Sequence, residues 1–359
     1  MAPPAPSVFH RSSFRPRLAV TLGDPAGIGP EVVLKALGAK DWGAIADITI
    51  LGTRSLLHQT RVALAQSGYP GSLPARDALT FVEIPPPLPL EAVELGQPSP
   101  ATGAASFAYL QAAIAGAMGG QYDAIVTGPI AKSVWQAAGH RYPGQTELLA
   151  EGAGCDRFAM AFVAQSPHTG WWLRALLATT HIPLRQVPDA LTPALLSQKL
   201  DLLIHSLKQD FGLAHPRLAV AGLNPHSGEG GQLGREEVDW LVPWLEAQRQ
   251  RYPQVQLDGP TPPDTLWVRP GQAWFGTDGG AVDTAHDAYL ALYHDQGLIP
   301  VKLMAFDRAV NTTVGLPFVR TSPDHGTAFD IAGLGVADAS SMVAAMEVAI
   351  AVVKSRVGG

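Results

Sequence analysis

RLAVTLGDPAGIGPEVVLKALG (17–38) decides the fold. An apolar run of strand length, RLAVTL (17–22), meets the glycine-rich turn GDPAGIGP, and a helix begins near Pro30 and runs to about Leu37. Proline at the first helical position lacks the N–H that would be unpaired there, and the acid Glu31 suits the positive end of the helix dipole. The same unit recurs down the chain. Strands are expected at 46–53, 79–85, 122–129, 157–164, 173–181, 218–226 and 289–294. Helices are expected up to about Gln66 and at 101–120, 192–212, 235–251 and 340–356. Strands alternating with helices predict an α/β fold with a largely parallel sheet. The proline-rich connection 84–100 reads as a surface crossing, because the alternation resumes after it.

The 359 residues suffice for two domains or one large α/β unit. Charged residues make up 16% and apolar residues 47%, so a large core is available. A net charge of −6 offers no general attraction for nucleic acid or an anionic membrane. The single cysteine, Cys155, rules out an internal disulfide and a cysteine-rich zinc site, and fits a reducing cytoplasm. No apolar stretch approaches the roughly 20 residues that span a bilayer. Residues 1–16 (MAPPAPSVFHRSSFRP) lack the apolar segment of a secretory signal; their Arg and Ser without acids allow a transit sequence, but the repeated prolines oppose an amphipathic helix and favour a disordered tail.

Three of the eleven histidines each close an apolar run: His181 after RALLATT, His226 after LAVAGLNP and His294 after AYLALY. Ligands of open α/β sheets collect beyond the carboxyl ends of the strands. One such imidazole would be an ordinary hydrogen-bonded histidine. Three in the same context point to a divalent metal with an open coordination position. GDPAGIGPE (23–31) is either an anion cradle at a helix N-terminus or a tight turn that needs its glycines. GLNPHSGEGGQLGREE (222–237) combines Asn, His, Glu and several glycines, a mixture typical of a functional loop. YHDQGLIPVKLMAF (293–306) supplies His294, Asp295 and Lys302, and its spacing allows a chain reversal that turns both His294 and Lys302 into one cleft. Asn311 and Arg320 follow, ahead of a polar glycine-rich loop; arginine pairs naturally with carboxylate or phosphate through its planar fork.

GDPAGIGPE, VTGPIAK, PGQTE, ATTHIPL, GLNPHSGEGG, YHDQG, VGLPFVRTS and DHGTAFDIAG occur in this order over about residues 17–355. In this the chain resembles the 4-hydroxythreonine-4-phosphate dehydrogenase family of vitamin B6 biosynthesis. The resemblance implies an isocitrate/isopropylmalate dehydrogenase-like fold, with two α/β domains flanking a cleft. Domain 1 would comprise 17–129 and 305–359, and domain 2 would comprise 130–304. It implies His181, His226 and His294 as ligands of one divalent ion (Zn, Mg or Co). Gln145, Thr146, Lys302, Asn311 and Arg320 would bind substrate. Many members carry histidine where this chain has Gln145, which can hydrogen-bond but cannot hold a charge. Asp264 and Asp295 are candidates for the base or for orienting other groups. DHGTAFDIAG also resembles the loop that holds the adenosine end of NAD in isopropylmalate dehydrogenase. That makes His325, Gly326, Thr327, Ala328 and Asp338 candidates for contacting NAD, or NADP. The stretch 267–285 reads as a surface insertion.

The implied reaction oxidises the C3 hydroxyl of 4-phosphooxy-L-threonine with NAD and then loses CO2, in a homodimer whose site lies at the subunit interface. The small-residue helix AASFAYLQAAIAGAMGG offers a close-packing surface, either for that contact or for the core of its own subunit. The alternatives are a dehydrogenase of another phosphorylated hydroxy acid or a dihydrodiol, a phosphate-acyl transferase, and a non-catalytic metabolite-binding protein.

Overall fold

The computed structural model describes residues 14–87 and 93–358, so most of the expected N-terminal tail lies outside the described residues. Its eleven strands are β1 (Arg17–Thr21), β2 (Asp47–Gly52), β3 (Thr80–Glu83), β4 (Ala124–Thr127), β5 (Ala159–Gln165), β6 (Trp172–Leu177), β7 (Arg217–Ala221), β8 (Gln256–Thr261), β9 (Ala288–Ala291), β10 (Val310–Val314) and β11 (Val319–Pro323). They form one sheet in the order β3-β2-β1-β4-β11-β10-β5-β6-β9-β7-β8. Two parallel blocks, β3-β2-β1-β4-β11 and β6-β9-β7-β8, are joined through antiparallel pairs that β10 makes with β11 and β5, and β5 with β6. Strands β8, β10 and β11 have no counterpart among the expected elements.

Both ends of the chain build the first block. The helix Gly29–Gly38 buries an ion pair between Glu31 and Lys35 (2.8 Å). Glu31 accepts the Ala337 N–H, and Lys35 donates to the carbonyls of Gly335 and Ala337. The C-terminal helix Ser340–Gly358 packs its Met342, Met346 and Val353 into the core that holds Val20 and Val33. A separate core fills the second block, from Leu173 and Leu176 through Leu200, Leu245 and Leu290. The segment after β4 stays with the first block, where Trp135 and Leu149 bury beside Phe107.

Packing corrects one expectation and decides another. The stretch 267–285 is not a surface insertion: Trp274, Ala281 and Ala285 are buried in the second core, and Ser166 Oγ donates to the Trp274 carbonyl (2.6 Å). The helix Pro100–Met118, started by a Ser99–Thr102 capping box, buries Ala105, Tyr109 and Ala113 inside its own subunit, so most of its small face is core and not a contact surface. Among the described residues no helix is long and apolar enough to cross a membrane.

Candidate active site

The sheet delivers the site at two neighbouring places. In the second block, Leu177 of β6 is level with Ala291 of β9, and Val220 of β7 is level with Leu290 of β9. His181, His294 and His226 therefore follow the carboxyl ends of three adjacent parallel strands. His181 and His294 meet, with ring centroids 5.6 Å apart. Burial, followed by the charges of Lys132 and His294, lowers the pKa of His181 and favours the neutral imidazole that a metal requires. Asp295 accepts from His294 Nδ1 (2.7 Å), the contact that fixes the tautomer of a ligating histidine.

His226 does not join them. Its side chain is 64% exposed and stands 3.6 Å from Glu229. It lines neither the main cavity nor the smaller one beside His181. Among the described residues no cluster of three His, Cys, Asp or Glu is placed to hold a metal. One chain thus supplies two imidazoles facing one cavity and a third aimed into solvent.

The helix His294–Ala305 corrects the expected chain reversal. Its i, i+4, i+8 positions His294, Leu298 and Lys302 lie along one face and all line a cavity of about 880 Å³. Gln296 fixes the start of the helix, accepting the Leu292 N–H and donating to the Gly222 carbonyl, both at 2.7 Å. Lys302 is paired with Asp324, through its carboxylate and through its carbonyl at 3.0 Å.

The antiparallel centre of the sheet forms the other wall. Residues two apart on a strand share a face. Asn311 on β10, Arg320 and Ser322 on β11, Thr127 on β4, and Met160 and Phe162 on β5 accordingly line the cavity. Arg320 is 4% exposed. Its Nη1 donates to Thr313 Oγ1 (3.2 Å), and its Nη2 donates to Thr127 Oγ1 (2.9 Å) with Gln145 Oε1 at 3.5 Å. Its Nε has no partner, and no carboxylate lies within ion-pair distance, among the described residues. Burial lowers its pKa to about 10, so it remains charged at neutral pH. Asn311 Oδ1 is likewise buried without a partner. Gln145 Nε2 donates to the Gly128 carbonyl (3.0 Å), which leaves its oxygen toward Arg320. Thr146 lines the same cavity.

His325 and Gly326 reach this cavity, whereas Thr327, Ala328 and Asp338 do not line it. Thr327 accepts the Ile28 N–H through its carbonyl (2.9 Å), and Asp338 accepts the Ser340 N–H (2.9 Å) and hydroxyl (2.7 Å). Asp264 is exposed in the short helix Pro263–Leu266, away from the cavity. The GDPAGIGPE turn is a structural one. It is buried, its Ala26, Gly27 and Ile28 amides are bonded within the protein, and a Cβ on Gly23 would come within 2.3 Å of the Pro129 carbonyl. The cavity residues left unassigned in the sequence include two charged ones after β4, Lys132 in VTGPIAK and Glu147 in PGQTE. Their signal was their place in motifs that follow β4.

A fixed, desolvated cation beside paired imidazoles at strand ends defines a class: an α/β enzyme site for a small anionic substrate, with donors for a metal. The sequence model of the family described as "Pyridoxal phosphate biosynthetic protein PdxA" matches residues 44–349. A 4-hydroxythreonine-4-phosphate dehydrogenase of Nostoc sp. is 61% identical over 96% of this chain and 94% of its own. One of Synechocystis sp. is 60% identical over 95% and 97%. The crystal structure of the Klebsiella pneumoniae enzyme of that name superimposes with a TM-score of 0.78 at 35% identity, covering 95% of this chain and 99% of that one. The chain belongs to the PdxA family and is a dehydrogenase.

Proposed function

We propose that the protein oxidises the C3 hydroxyl of 4-phosphooxy-L-threonine with NAD, or NADP, in the cytoplasm. The product, 2-amino-3-oxo-4-phosphooxybutanoate, loses its carboxylate as CO2 to leave 3-amino-2-oxopropyl phosphate, a step of pyridoxal 5'-phosphate biosynthesis. The observation that carries this reading is Arg320, a buried cation that faces the cavity of His181 and His294 and has, among the described residues, no carboxylate within ion-pair distance. Such a group is costly to the fold unless an anionic ligand completes it.

His181, His226 and His294 would hold one divalent cation, Zn, Mg or Co. When bound it supplies Lewis acidity at the oxygen that changes from hydroxyl to carbonyl. Arg320, Lys302, Asn311, Gln145 and Thr146 bind and orient the phosphate and carboxylate, so that the C3 hydrogen faces the nicotinamide. Asp295 orients His294. Among the described residues Asp264 makes no contact that supports a role for it as base. His325 and Gly326 are the nucleotide candidates with direct cavity access; Thr327, Ala328 and Asp338 would contribute through the loop they shape.

The three-histidine set closes only if a second subunit supplies the exposed imidazole. A homodimer fits the apolar surface at both places: Ile299, Leu303 and Phe306 are exposed beside the cavity, and Leu233, Val238 and Val242 are exposed just after the His226 loop. A two-fold contact pairs one such surface with the other twice, making two equivalent sites. The division into two domains, 17–129 with 305–359 and 130–304, belongs to the same proposal with one amendment: the segment that carries Trp135 and Leu149 goes with the first domain, whose core it shares.

The test incubates the purified protein with NAD and a divalent ion and follows the NADH absorbance band. Parallel reactions contain 4-phosphooxy-L-threonine, an unphosphorylated threonine, a cis-dihydrodiol, or an acyl phosphate with coenzyme A. NADH only with the first is the expected result. NADH only with the dihydrodiol, or acyl transfer without NAD, would overturn the reading.

A further inference from the structure

The loop after β7 carries a backbone that substrate binding leaves unexplained. Five consecutive residues turn left-handed: His226 (φ 51°), Ser227 (φ 51°), Gly228 (φ 79°), Glu229 (φ 44°) and Gly230 (φ 65°). L-residues visit that region singly, because Cβ crowds the following carbonyl. A run containing three of them persists only where its surroundings over-determine it.

Glu237 anchors the entrance of the run, where the Ser227 N–H also bonds to the Asn224 carbonyl (3.0 Å). Its side chain is 1% exposed. One carboxylate oxygen accepts the backbone N–H groups of Leu223 and Asn224, each at 2.7 Å, and the other accepts from Asn224 Nδ2 at 2.8 Å. No Lys, Arg or His pairs with it among the described residues, so this buried anion is held by the amides at the entrance of the turn. Across the turn, Ser227 Oγ donates to the Pro260 carbonyl (3.0 Å). Gly228 leaves the space that Glu237 needs: a Cβ there would lie 2.9 Å from its Oε2 and 2.7 Å from the Gly234 carbonyl.

The geometry points to Glu237 as the positioning residue for His226: it keeps the left-handed turn wound and the imidazole projected away from its own subunit. The inference rests on the reading of His226 as a metal ligand. A ligand on a slack loop must be ordered when the metal binds, and the cost appears as lost affinity. Glu237→Gln keeps the size and one acceptor oxygen. It also sets an NH2 donor against the NH2 of Asn224, or an amide donor against backbone N–H groups; turning the Asn224 amide to compensate would set its oxygen against the Glu236 carboxylate it now serves (2.7 Å), so the clamp cannot be remade without loss.

The experiment titrates metal-free protein with Co(II), reading affinity by calorimetry and ligand geometry by the visible d–d bands. The wild type is compared with His226→Ala, Glu237→Gln and Asn224→Ala, each checked by thermal melting. Glu237→Gln is expected to bind Co(II) roughly 10- to 100-fold more weakly, the range for groups that orient ligands. The Co(II) concentration for half-maximal turnover should rise in parallel. Asn224→Ala should shift in the same direction by a smaller factor, and it decides the matter if Glu237→Gln does not fold. Wild-type Co(II) affinity in a folded Glu237→Gln, or in Asn224→Ala should that be the deciding variant, would overturn the inference. If His226→Ala itself binds Co(II) like the wild type, the metal reading of His226 has failed, and the role of Glu237 falls with it.

Discussion

Replacing Arg320 separates what the site costs the fold from what it does for the substrate. The guanidinium is buried against two threonine hydroxyls and the Gln145 amide, with no carboxylate within ion-pair distance among the described residues. Its pKa falls from 12.5 to about 10, chiefly by desolvation. At 1.36 kcal/mol per unit, this charge costs folding on the order of 3 kcal/mol when no anion pairs with it. Arg320→Met removes the charge and keeps an unbranched side chain. The variant should melt at or above the wild-type temperature, since buried ions are often replaced by apolar groups without loss. Each charge-assisted hydrogen bond to the substrate is worth about 1.5–3 kcal/mol. Arg320→Lys, which keeps the charge but loses the fork, should therefore lower kcat/KM roughly 10- to 150-fold. Arg320→Met, losing two such bonds, should lower it roughly a hundredfold or more. The assay is NADH formation from 4-phosphooxy-L-threonine, paired with scanning calorimetry. An Arg320→Lys enzyme with unchanged kcat/KM would refute the reasoning.

Asp24 is buried, and desolvation raises its pKa from 3.8 to about 6. The folded state then holds this proton more tightly than the unfolded chain, so the associated stability is present below about pH 4 and lost as pH rises through about 6. Asp24→Asn should stabilise the protein by up to about 3 kcal/mol at pH 8 and by almost nothing at pH 4 in urea titrations; equal effects at both values would contradict this. His181→Ala removes one of the two imidazoles that share the cavity and should weaken binding of a divalent ion at least tenfold with little change in melting temperature; unchanged affinity by calorimetry would count against it. Glu229→Gly relieves a left-handed L-residue that is largely exposed. Unfolding should require up to about 1 kcal/mol more, after the added chain entropy of glycine is offset, and a loss of stability would show the turn to be unstrained.

The first block was legible because RLAVT is an uninterrupted apolar strand and Pro30 with Glu31 marks the helix start. The three histidines were legible for the same reason, each ending a buried run. Whether they meet was not, because it depends on the path of each loop, and the left-handed turn at His226 leaves no periodic trace. Strands β10 and β11 escaped because both of their faces are buried and carry polar residues: Thr312, Thr313, Arg320 and Thr321 are buried where a strand pattern expects valine or isoleucine. The helix from His294 looked like a reversal because Gly297 and Pro300 are helix breakers. Gly297 is there so that the helix can lie on β6, since a Cβ would come within 2.6 Å of Leu177 Cδ2. The buried stretch 267–285 looked like an insertion because Pro270 and four glycines break any period, yet Trp274 anchors it in the core.

The claim on which the account turns is that one subunit brings two imidazoles to the site and its neighbour brings the third. Mixed dimers test it directly. Because His181 and His294 share one cavity, His181→Ala and His294→Ala should not complement each other. His226→Ala mixed with His181→Ala, after dissociation and reassociation, should regenerate one intact site per heterodimer, so that verified heterodimers reach about half the wild-type NADH rate, by the two-fold symmetry of the contact. No recovered activity in verified heterodimers of that pair, or recovery from His181→Ala with His294→Ala instead, would contradict it.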